Sequence, residues 1–204
     1  MNKNILHQII RQIKYLKREN DGFRITKFWI FIDDNRIKLI ERLIKRLPTG
    51  YIFGLIIRGK NKKQIYHRAK KLGKICKYRR IPFYVSTYPM IALSVGANGV
   101  HYPKNIRYVR PYNNLETSCS LHELNETRRV IRISPNRAFL SPIFKTTSSK
   151  IKKPVSLHLI NVYFRRLKCK NAVLGGIDLK NLKILRNRNI SAVGGLSLLF
   201  KIFE

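Results

Sequence analysis

The sequence predicts an α/β fold, a compact single-domain (β/α)8 TIM barrel, and three observations indicate it. Eight short apolar runs recur along most of the 204 residues, and a helical or loop segment follows each of them. The runs lack strict alternation of apolar and polar residues, as expected for parallel strands that are buried on both sides. The most polar and glycine-rich endings come after the sixth, seventh and eighth runs, where such barrels commonly bind a phosphate. A doubly wound parallel sheet is the competing arrangement.

An extra N-terminal helix precedes the barrel. Its apolar positions repeat at spacings of four, four and three, at Ile5, Ile9, Ile13 and Leu16. This spacing places them on one helical face, with basic residues outside it. A basic amphipathic helix can lie on a membrane or on nucleic acid, but more often it covers the protein core. We predict an N-terminal amphipathic helix within residues 1–22 and the barrel over residues 23–204.

The first four predicted strands are compact apolar runs. They are KFWIFID (27–33), GYIFGLIIRGK (50–60), IPFYVST (81–87) and NGVHY (98–102). Helical patterns separate them, namely NRIKLIERLIKRL, KKQIYHRAKKLGKICKYRR and PMIALSVG. The first of these helices ends before Pro48 and the last ends at Gly96, because proline cannot continue a helix and glycine is common just past a helix end.

The last four predicted strands end in polar or glycine-rich segments. They are TSCS (117–120), RAFLSPIF (137–144), NAVLGGI (171–177) and SAVGGL (191–196). The helical patterns that follow the first three are LHELNETRRVIRI, SLHLINVYFRRLK and DLKNLKILRNRN. In the sixth run the Ser141-Pro142 pair marks the end of the strand, because proline lacks the N–H that a sheet needs.

The chain is strongly basic. Its 43 Lys and Arg residues against 10 Asp and Glu residues give a formal net charge of +33. Such a charge favours anionic partners, which are nucleic acid, acidic membranes or phosphorylated metabolites. The basic residues are scattered and not confined to one stripe, so we attribute the charge mainly to compositional drift. The hydrophobic content of 44% excludes a disordered chain.

Cysteine usage and hydropathy indicate a reducing compartment. The chain has three cysteines and no CxxC spacing, which predicts neither a zinc site nor a disulfide framework. Basic residues interrupt every apolar run near the N-terminus, which argues against a signal peptide. No apolar run approaches the length of a membrane span. We expect a soluble, cytoplasmic protein without a membrane span.

Three loops after the last predicted strands could bind an anion together. They are LSPIFKTTSSK after the sixth strand, LGGIDLKN after the seventh and VGGLSLLF at the eighth. Gly175 and Gly176 allow the backbone to approach a ligand closely, and a helix that starts near Asp178 offers N–H groups to an anion. Gly194 and Gly195 do the same for the last strand. Two Gly-Gly pairs at neighbouring strand ends indicate a phosphate site, although one pair alone more often marks tight packing.

Several segments, in the same order along the chain, resemble the thiamine phosphate synthase and TenI family. FLSPIFKTT resembles that family's G-P-hydrophobic-F-P-T segment, VLGGID resembles AIGGI, and AVGGLSLLF resembles the closing GVAVISAIF. GANGVH is similar to GADGVH, CSLHE to the S-x-H-x-x-E region, and IIRGK to Q-x-R-x-K. The resemblance spans roughly residues 27–203. It is strongest toward divergent alphaproteobacterial members of the family.

The resemblance implies roles for individual residues. Phosphate binding is implied for the backbone around Gly175, Gly176, Leu196 and Ser197. Substrate binding is implied for Arg58, Lys60, Ser120, Thr146 and Lys150. Of these, Lys150 stands one position beyond the lysine of the family's pattern, so its role requires a one-residue shift of the loop.

His122 occupies the position of a histidine that TenI-type thiazole tautomerases use for proton transfer. An imidazole with a pKa of about 6.5 suits acid–base chemistry at neutral pH. The resemblance therefore implies a catalytic role for His122. The alternative is a helix-capping or surface histidine.

The magnesium ligands of the family are missing at the matching positions. The resemblance implies one Asp at the end of the third strand and another after the fourth, where this chain has Ser86-Thr87 and YPKNI (102–106). Mg²⁺ requires oxygen ligands, ideally anionic ones. We therefore expect no metal and no other cofactor. The synthase reaction releases diphosphate and relies on the metal, so a metal-independent tautomerase reaction fits this chain better.

The favoured hypothesis is a thiamine-biosynthesis-related barrel that binds a thiazole phosphate or a similar small phosphate ester. The resemblance implies either a synthase, which is a transferase, or a tautomerase, which is an isomerase. One alternative is a catalytically inactive relative that still binds phosphate. Another is a basic nucleic-acid-binding protein, although no base-reading helix or aromatic stacking motif is visible. The sequence predicts no particular oligomeric state.

Overall fold

The computed structural model describes residues 2–16, 26–32, 37–146, 153–186 and 188–202. Within these residues, eight parallel strands form a closed barrel in chain order, and the first strand pairs with both the second and the eighth. The predicted (β/α)8 fold is therefore confirmed. The doubly wound sheet is excluded, because an open sheet would leave two strand edges without a ladder partner.

The strands are short, and each overlaps one of the eight predicted runs. They are β1 (Phe28–Phe31), β2 (Phe53–Ile57), β3 (Phe83–Ser86), β4 (Gly99–Tyr102), β5 (Glu116–Leu121), β6 (Arg137–Leu140), β7 (Lys170–Leu174) and β8 (Ala192–Gly194). Such short strands suit a small barrel, in which the helices follow the strands closely.

Helices surround the strands. They are α1 (Lys3–Lys14), α2 (Ile37–Arg46), α3 (Lys62–Tyr78), α4 (Pro89–Ser94), α5 (Thr127–Ile133), α6 (Ile160–Arg165), α7 (Leu179–Leu182) and α8 (Ser197–Phe200). Short 3-10 turns precede α5 and α6 and follow α7, at Leu124–Glu126, Leu157–Leu159 and Lys183–Leu185. Polar side chains cap several of these helices. At α3, for example, the Asn61 side chain accepts a hydrogen bond from the Gln64 N–H at 2.9 Å.

The helix predicted from Leu121 begins later than expected. Leu121 pairs with Leu140 across the β5–β6 ladder, which keeps it extended. The backbone N–H of His122 then donates to the Glu126 carboxylate at 2.8 Å, and α5 starts only at Thr127. The ladder pairing overrides the helical pattern of the sequence at this point.

The barrel strands bury side chains on both faces, which explains the missing alternation. In β1, Phe28 and Ile30 pack into the large cluster between the strands and the helices. Trp29 and Phe31 belong to a second cluster inside the barrel. The members of this inner cluster are Trp29, Phe31, Ile56, Tyr84, Phe139, Ala172 and Ala192.

Aromatic rings fill the barrel interior up to the mouth. The Phe139 ring meets Trp29 and Phe31 edge to face, with ring centroids 6.0 Å and 5.0 Å apart. These side chains are almost completely buried. The interior is therefore a packed core and not a channel.

Helix α1 packs on the barrel with its apolar face. Leu6, Ile9 and Ile13 are buried, and the helix contacts α7. Arg186 donates a hydrogen bond to the Gln12 side chain, and the Asn2 N–H donates to the Ile202 carbonyl at 2.7 Å. The face that could have contacted a membrane is thus used for packing. Residues 17–22 of the predicted N-terminal segment lie outside the described residues.

None of the helices in the described part of the chain has both the length and the apolar character that crossing a lipid bilayer requires.

Candidate functional site

The barrel topology brings the predicted site residues to one end of the molecule. Because all eight strands are parallel, the segments that follow them meet at the same mouth. Arg58 follows β2, Ser120 lies near the end of β5 and His122 follows it. Gly176 follows β7, and Ser197 opens α8 after β8. The mouth therefore collects side chains from the early strands and backbone loops from the late ones.

A buried histidine, His101 on β4, lies at the centre of the early-strand side. Its Nδ1 is 3.0 Å from the Ser118 hydroxyl and its Nε2 is 3.0 Å from the Ser120 hydroxyl. Its ring stands edge to face against Phe31 and Phe139, with centroids 5.4 Å and 5.8 Å apart. Because both ring nitrogens are hydrogen-bonded, the network orients the imidazole and the Ser120 side chain together.

The surroundings of His101 keep its imidazole neutral. The side chain is only 1% exposed, and this burial is the main reason why the pKa of His101 falls from 6.5 to about 3. The nearby positive charges of Arg58 and Arg129, and the proximity of His122, lower the pKa further. The same effects indicate that Arg58 and His122 both lie near His101.

His122, the predicted proton-transfer residue, is half-buried beside β6. Its Nδ1 lies 2.8 Å from the Ser141 carbonyl oxygen and 3.1 Å from the Ser141 hydroxyl. A carbonyl oxygen can only accept, so Nδ1 carries the proton of the neutral ring and Nε2 is the basic nitrogen. This tautomer suits a general base that acts through Nε2. The Ser141–Pro142 peptide bond that follows is cis.

Arg58 is fixed at the mouth by its backbone and its side chain. The guanidinium Nε donates to the Ile32 carbonyl at 3.1 Å, and its Cζ lies 5.4 Å from the centroid of the Phe31 ring. The buried Arg68 of α3 donates to the Arg58 carbonyl at 2.7 Å. These contacts place an exposed guanidinium above the packed interior.

The glycine pair after β7 joins two neighbouring loops. Gly175 and Gly176 have φ angles of +98° and +68°. A Cβ on Gly176 would lie 2.8 Å from the Phe144 carbonyl oxygen and would also meet the Lys145 carbonyl. The Phe144 N–H donates to the Gly175 carbonyl at 3.0 Å. Only glycine fits this close contact between two backbones.

The helices after β7 and β8 differ at their N-termini. The Asp178 carboxylate accepts hydrogen bonds from the N–H groups of Lys180 and Asn181, both at 2.8 Å, so the start of α7 already holds an anion. At α8, no side chain caps the first turn at Leu196 and Ser197. The N–H groups expected to receive a phosphate near Asp178 are thus occupied, whereas those of α8 have no side-chain cap.

The remaining predicted residues lie at the rim or beyond the described chain. Lys60 is exposed, and its backbone N–H donates to the Gln64 side chain at 2.6 Å, just before α3. Thr146 is the last described residue before the gap in the loop after β6. Lys150 lies outside the described residues.

The residues at the expected metal positions do not fit Mg²⁺. The Ser86 and Thr87 hydroxyl oxygens, at the end of β3, lie 3.2 Å apart, and Lys104 follows β4. Neutral hydroxyls and an ammonium group are poor ligands for a hard cation. Across the described ranges no group of three or more His, Cys, Asp or Glu residues could hold a metal. Asp33 and Asp34, which come directly after Ile32, lie outside those ranges.

The cysteines do not contribute a nucleophile. Cys76 and Cys119 are buried free thiols, and burial raises the pKa of each to about 12. The pKa of Cys169 is raised to about 11 for the same reason. At neutral pH these groups stay protonated, and the thiolate is the reactive form.

Two further residues, His101 and Arg129, organise this region and were not predicted as site residues. His101 lies on the inward face of β4, because its neighbours Val100 and Tyr102 pack into the cluster between the strands and the helices. The alternation of side chains along a strand could have revealed it. Arg129 on α5 donates to the Ser120 carbonyl and to the Ile106 carbonyl, the latter at 3.1 Å. No local pattern distinguishes Arg129 from the other scattered basic residues.

The sequence matches one family and several relatives in it. The sequence model of the family described as thiamine monophosphate synthase matches residues 28–199. A protein of Aquifex aeolicus (strain VF5), named provisionally as thiamine-phosphate synthase 2, is 24% identical over 173 residues, which cover 81% of this chain and 90% of the relative. The thiamine-phosphate synthase of Prochlorococcus marinus subsp. pastoris is 27% identical over 173 residues, which cover 81% of this chain and 49% of that relative.

Solved structures share the barrel. A thiamine phosphate pyrophosphorylase from Pyrococcus furiosus superposes with a TM-score of 0.63 at 16% identity, and the alignment covers 86% of this chain and 94% of the other. A mutant tryptophan synthase alpha-subunit from the same organism gives a TM-score of 0.62 at 12% identity, with 89% and 91% covered. At such identities the structural likeness establishes the fold alone.

Proposed function

The chain belongs to the thiamine monophosphate synthase family, and from this premise we propose that its barrel mouth binds a thiazole phosphate or a similar small phosphate ester. The binding does not require Mg²⁺. The bound ligand undergoes proton transfer at His122, as in a metal-independent isomerase, and not the release of diphosphate.

One observation carries the proposal. Arg58 after β2, the end of β5 with Ser120 and His122, and the glycine loop after β7 all surround the mouth of one closed barrel. Phe31 closes the mouth from below, and its ring contacts both the His101 ring and the Arg58 guanidinium. A ligand above Phe31 is therefore within reach of a cation, a hydroxyl and an imidazole.

The charges of the mouth suit a phosphate dianion without a metal. Arg58 supplies a planar guanidinium that can donate two parallel hydrogen bonds to a phosphate, and Lys60 adds a second positive charge nearby. The N–H groups at Leu196 and Ser197 have no side-chain cap and would take a phosphate oxygen. The acidic residue Asp178 follows β7, but its carboxylate is hydrogen-bonded to the first turn of α7.

The proton-transfer role of His122 rests on its tautomer. The Ser141 carbonyl holds the Nδ1 proton, so Nε2 can take a proton from a bound ring and return it to another ring atom. Such a step conserves charge and needs no leaving group. The family's synthase reaction would instead require diphosphate to depart, and the residues at the metal positions do not support that step.

Isothermal titration with thiazole phosphate, in Mg²⁺ and in EDTA, tests the binding site. We expect equal affinity in both buffers, because Arg58 and the backbone N–H groups balance the phosphate charge. Strict dependence on Mg²⁺ would contradict the metal-free site, and would point to acidic residues outside the described ranges.

Turnover of the bound ligand tests His122. We expect His122→Gln to lose activity while keeping ligand affinity within about twofold. Tight binding without any turnover by the natural protein would favour the inactive phosphate-binding relative. Submicromolar RNA or DNA binding that weakens steeply with salt, without thiazole phosphate binding, would favour the nucleic-acid-binding alternative.

A further inference from the structure

A cavity lies beside the barrel mouth, between the loop after β4 and the start of α5. Its volume is about 450 Å³, which falls within the range of small-molecule pockets. Basic residues from both elements line it, namely Lys104, Arg107, Arg129 and Arg132, and two carboxylates face them, Glu123 and Glu126. The lining is almost entirely charged or polar, so an apolar ligand does not fit.

Hydrogen bonds to backbone carbonyls hold the Arg129 side chain in the wall of this cavity. One terminal nitrogen donates to the carbonyls of Pro103 and Ile106, at 3.3 Å and 3.1 Å. The other donates to the Ser120 carbonyl. Its buried Nε has no hydrogen-bond partner among the described residues. These contacts hold the loop after β4 against β5 and keep the guanidinium in the cavity wall.

The positive charge of the cavity is not balanced within it. Among the described residues, none of its four basic side chains lies within 4.0 Å of a carboxylate oxygen. Glu126 accepts the His122 N–H at 2.8 Å, and Glu123 accepts from the Asn125 amide at 3.4 Å. Both carboxylates thus have other hydrogen bonds. The cavity keeps a surplus of two positive charges.

We propose that this cavity is a second anion site, which binds a phosphate or diphosphate group. A dianion matches the surplus charge, and the guanidinium groups of Arg107 and Arg132 are suited to phosphate oxygens. The group is either free in solution or carried on a small molecule. The cavity volume of about 450 Å³ suits a small anion and not an extended polyanion such as nucleic acid.

The two ligand sites of the molecule are separable by mutation. Lys104 and Arg107 are exposed and are not among the residues proposed to bind the mouth ligand, so we expect their removal to leave the mouth intact. Arg58 belongs to the mouth alone. A matched control is available on α3, where Lys63 and Lys74 are equally exposed and carry the same total charge.

Isothermal titration with inorganic diphosphate and with inorganic phosphate, at constant ionic strength, tests the second site in the full chain. We expect Lys104→Ala with Arg107→Ala to weaken diphosphate binding by about tenfold, and Lys63→Ala with Lys74→Ala to change it by less than about twofold. In the Arg58→Ala background, which weakens anion binding at the mouth, the Lys104→Ala and Arg107→Ala pair should still cause the same loss. Titration with a phosphate monoester, run in parallel, decides whether the group is bound free or as an ester.

Three results would overturn the proposal. One is that the natural protein binds neither anion at millimolar concentration. Another is that both double variants lose the same affinity, which would indicate general charge attraction. The last is that Arg58→Ala abolishes the binding, which would assign it to the mouth. Since thiazole phosphate is titrated separately, either site can fail without the other.

Discussion

On the β4–β5 side of the mouth, side chains that hydrogen-bond to one another determine the shape, whereas on the β6–β7 side two backbones determine it. His101 holds Ser118 and Ser120 through both ring nitrogens. Across the mouth, Gly176 allows the loop after β7 to lie directly on the carbonyls of Phe144 and Lys145. The side-chain arrangement requires a neutral His101 imidazole, whereas the backbone arrangement requires that position 176 has no Cβ.

The two sides of the mouth should therefore respond differently to acid and to mutation. Acid should disrupt the side-chain network, because a buried imidazole that gains a proton carries an unbalanced charge. The backbone contact has no titratable group, so acid leaves it unchanged, but a single methyl group should force it apart.

The free energy of unfolding should fall in acid because of His101. In the folded protein its pKa is about 3, whereas in the unfolded chain it is about 6.5. Below pH 6.5 the unfolded state therefore binds a proton that the folded state does not, so stability is full above pH 6.5 and declines as the pH falls toward 3. This residue alone contributes a slope of up to about 1.4 kcal/mol per pH unit.

Urea unfolding at pH values from 7 down to 4 measures that slope. His101→Gln is the control, because an amide can still donate to one serine and accept from the other but does not titrate. In this variant the free energy of unfolding should fall less steeply with pH, by the slope that corresponds to about one bound proton. Equal slopes in the two proteins would mean that His101 is not buried as a neutral ring.

Gly176→Ala should break the backbone side of the mouth. The φ of +68° and the clash with the Phe144 carbonyl together should lower the free energy of unfolding by about 3 kcal/mol. Gly96→Ala is the matched control, because its φ is +60° but the added Cβ meets the flexible end of the Lys77 side chain. That variant should lose only about 1 kcal/mol. Similar losses would show that the loops can separate.

Arg58→Ala tests whether the ligand reaches the early strands of the barrel mouth. It should weaken thiazole phosphate binding by about tenfold, which is about 1.4 kcal/mol, because a charged hydrogen bond to the phosphate is lost. Arg42→Ala, an exposed arginine on α2, should leave the affinity unchanged in the same titration. An unaltered affinity in Arg58→Ala would place the ligand away from the early strands.

The smallest expected effect is at Asp178. Asp178→Ala removes the cap of α7 and should lower the free energy of unfolding by about 1 kcal/mol. Asp178→Asn keeps a capping oxygen and should lose less than half of that. Thermal unfolding of the two variants, measured together, distinguishes the loss of the cap from the loss of the charge. Equal losses would indicate that the charge matters more than the hydrogen bonds.

Much of the fold could be predicted from local patterns. The eight strands lie at or beside the predicted runs, because a strand buried on both faces is a short apolar run whatever its neighbours are. The start of α5 could not be predicted, since the ladder partner Leu140 of Leu121 is distant in sequence. The family membership was visible in the order of short motifs, and the match over residues 28–199 agrees with it.

The barrel, the family and the glycines of the late loops could be read from the chain, because apolar runs, the order of short motifs and backbone freedom at single positions are all local properties. The structure was needed to show that His101 bridges Ser118 and Ser120, that Asp178 caps the start of α7, and that Arg129 lines a cavity with a surplus of positive charge. Hydrogen-bond partners and charge balance depend on residues that are close in space and far apart in the chain.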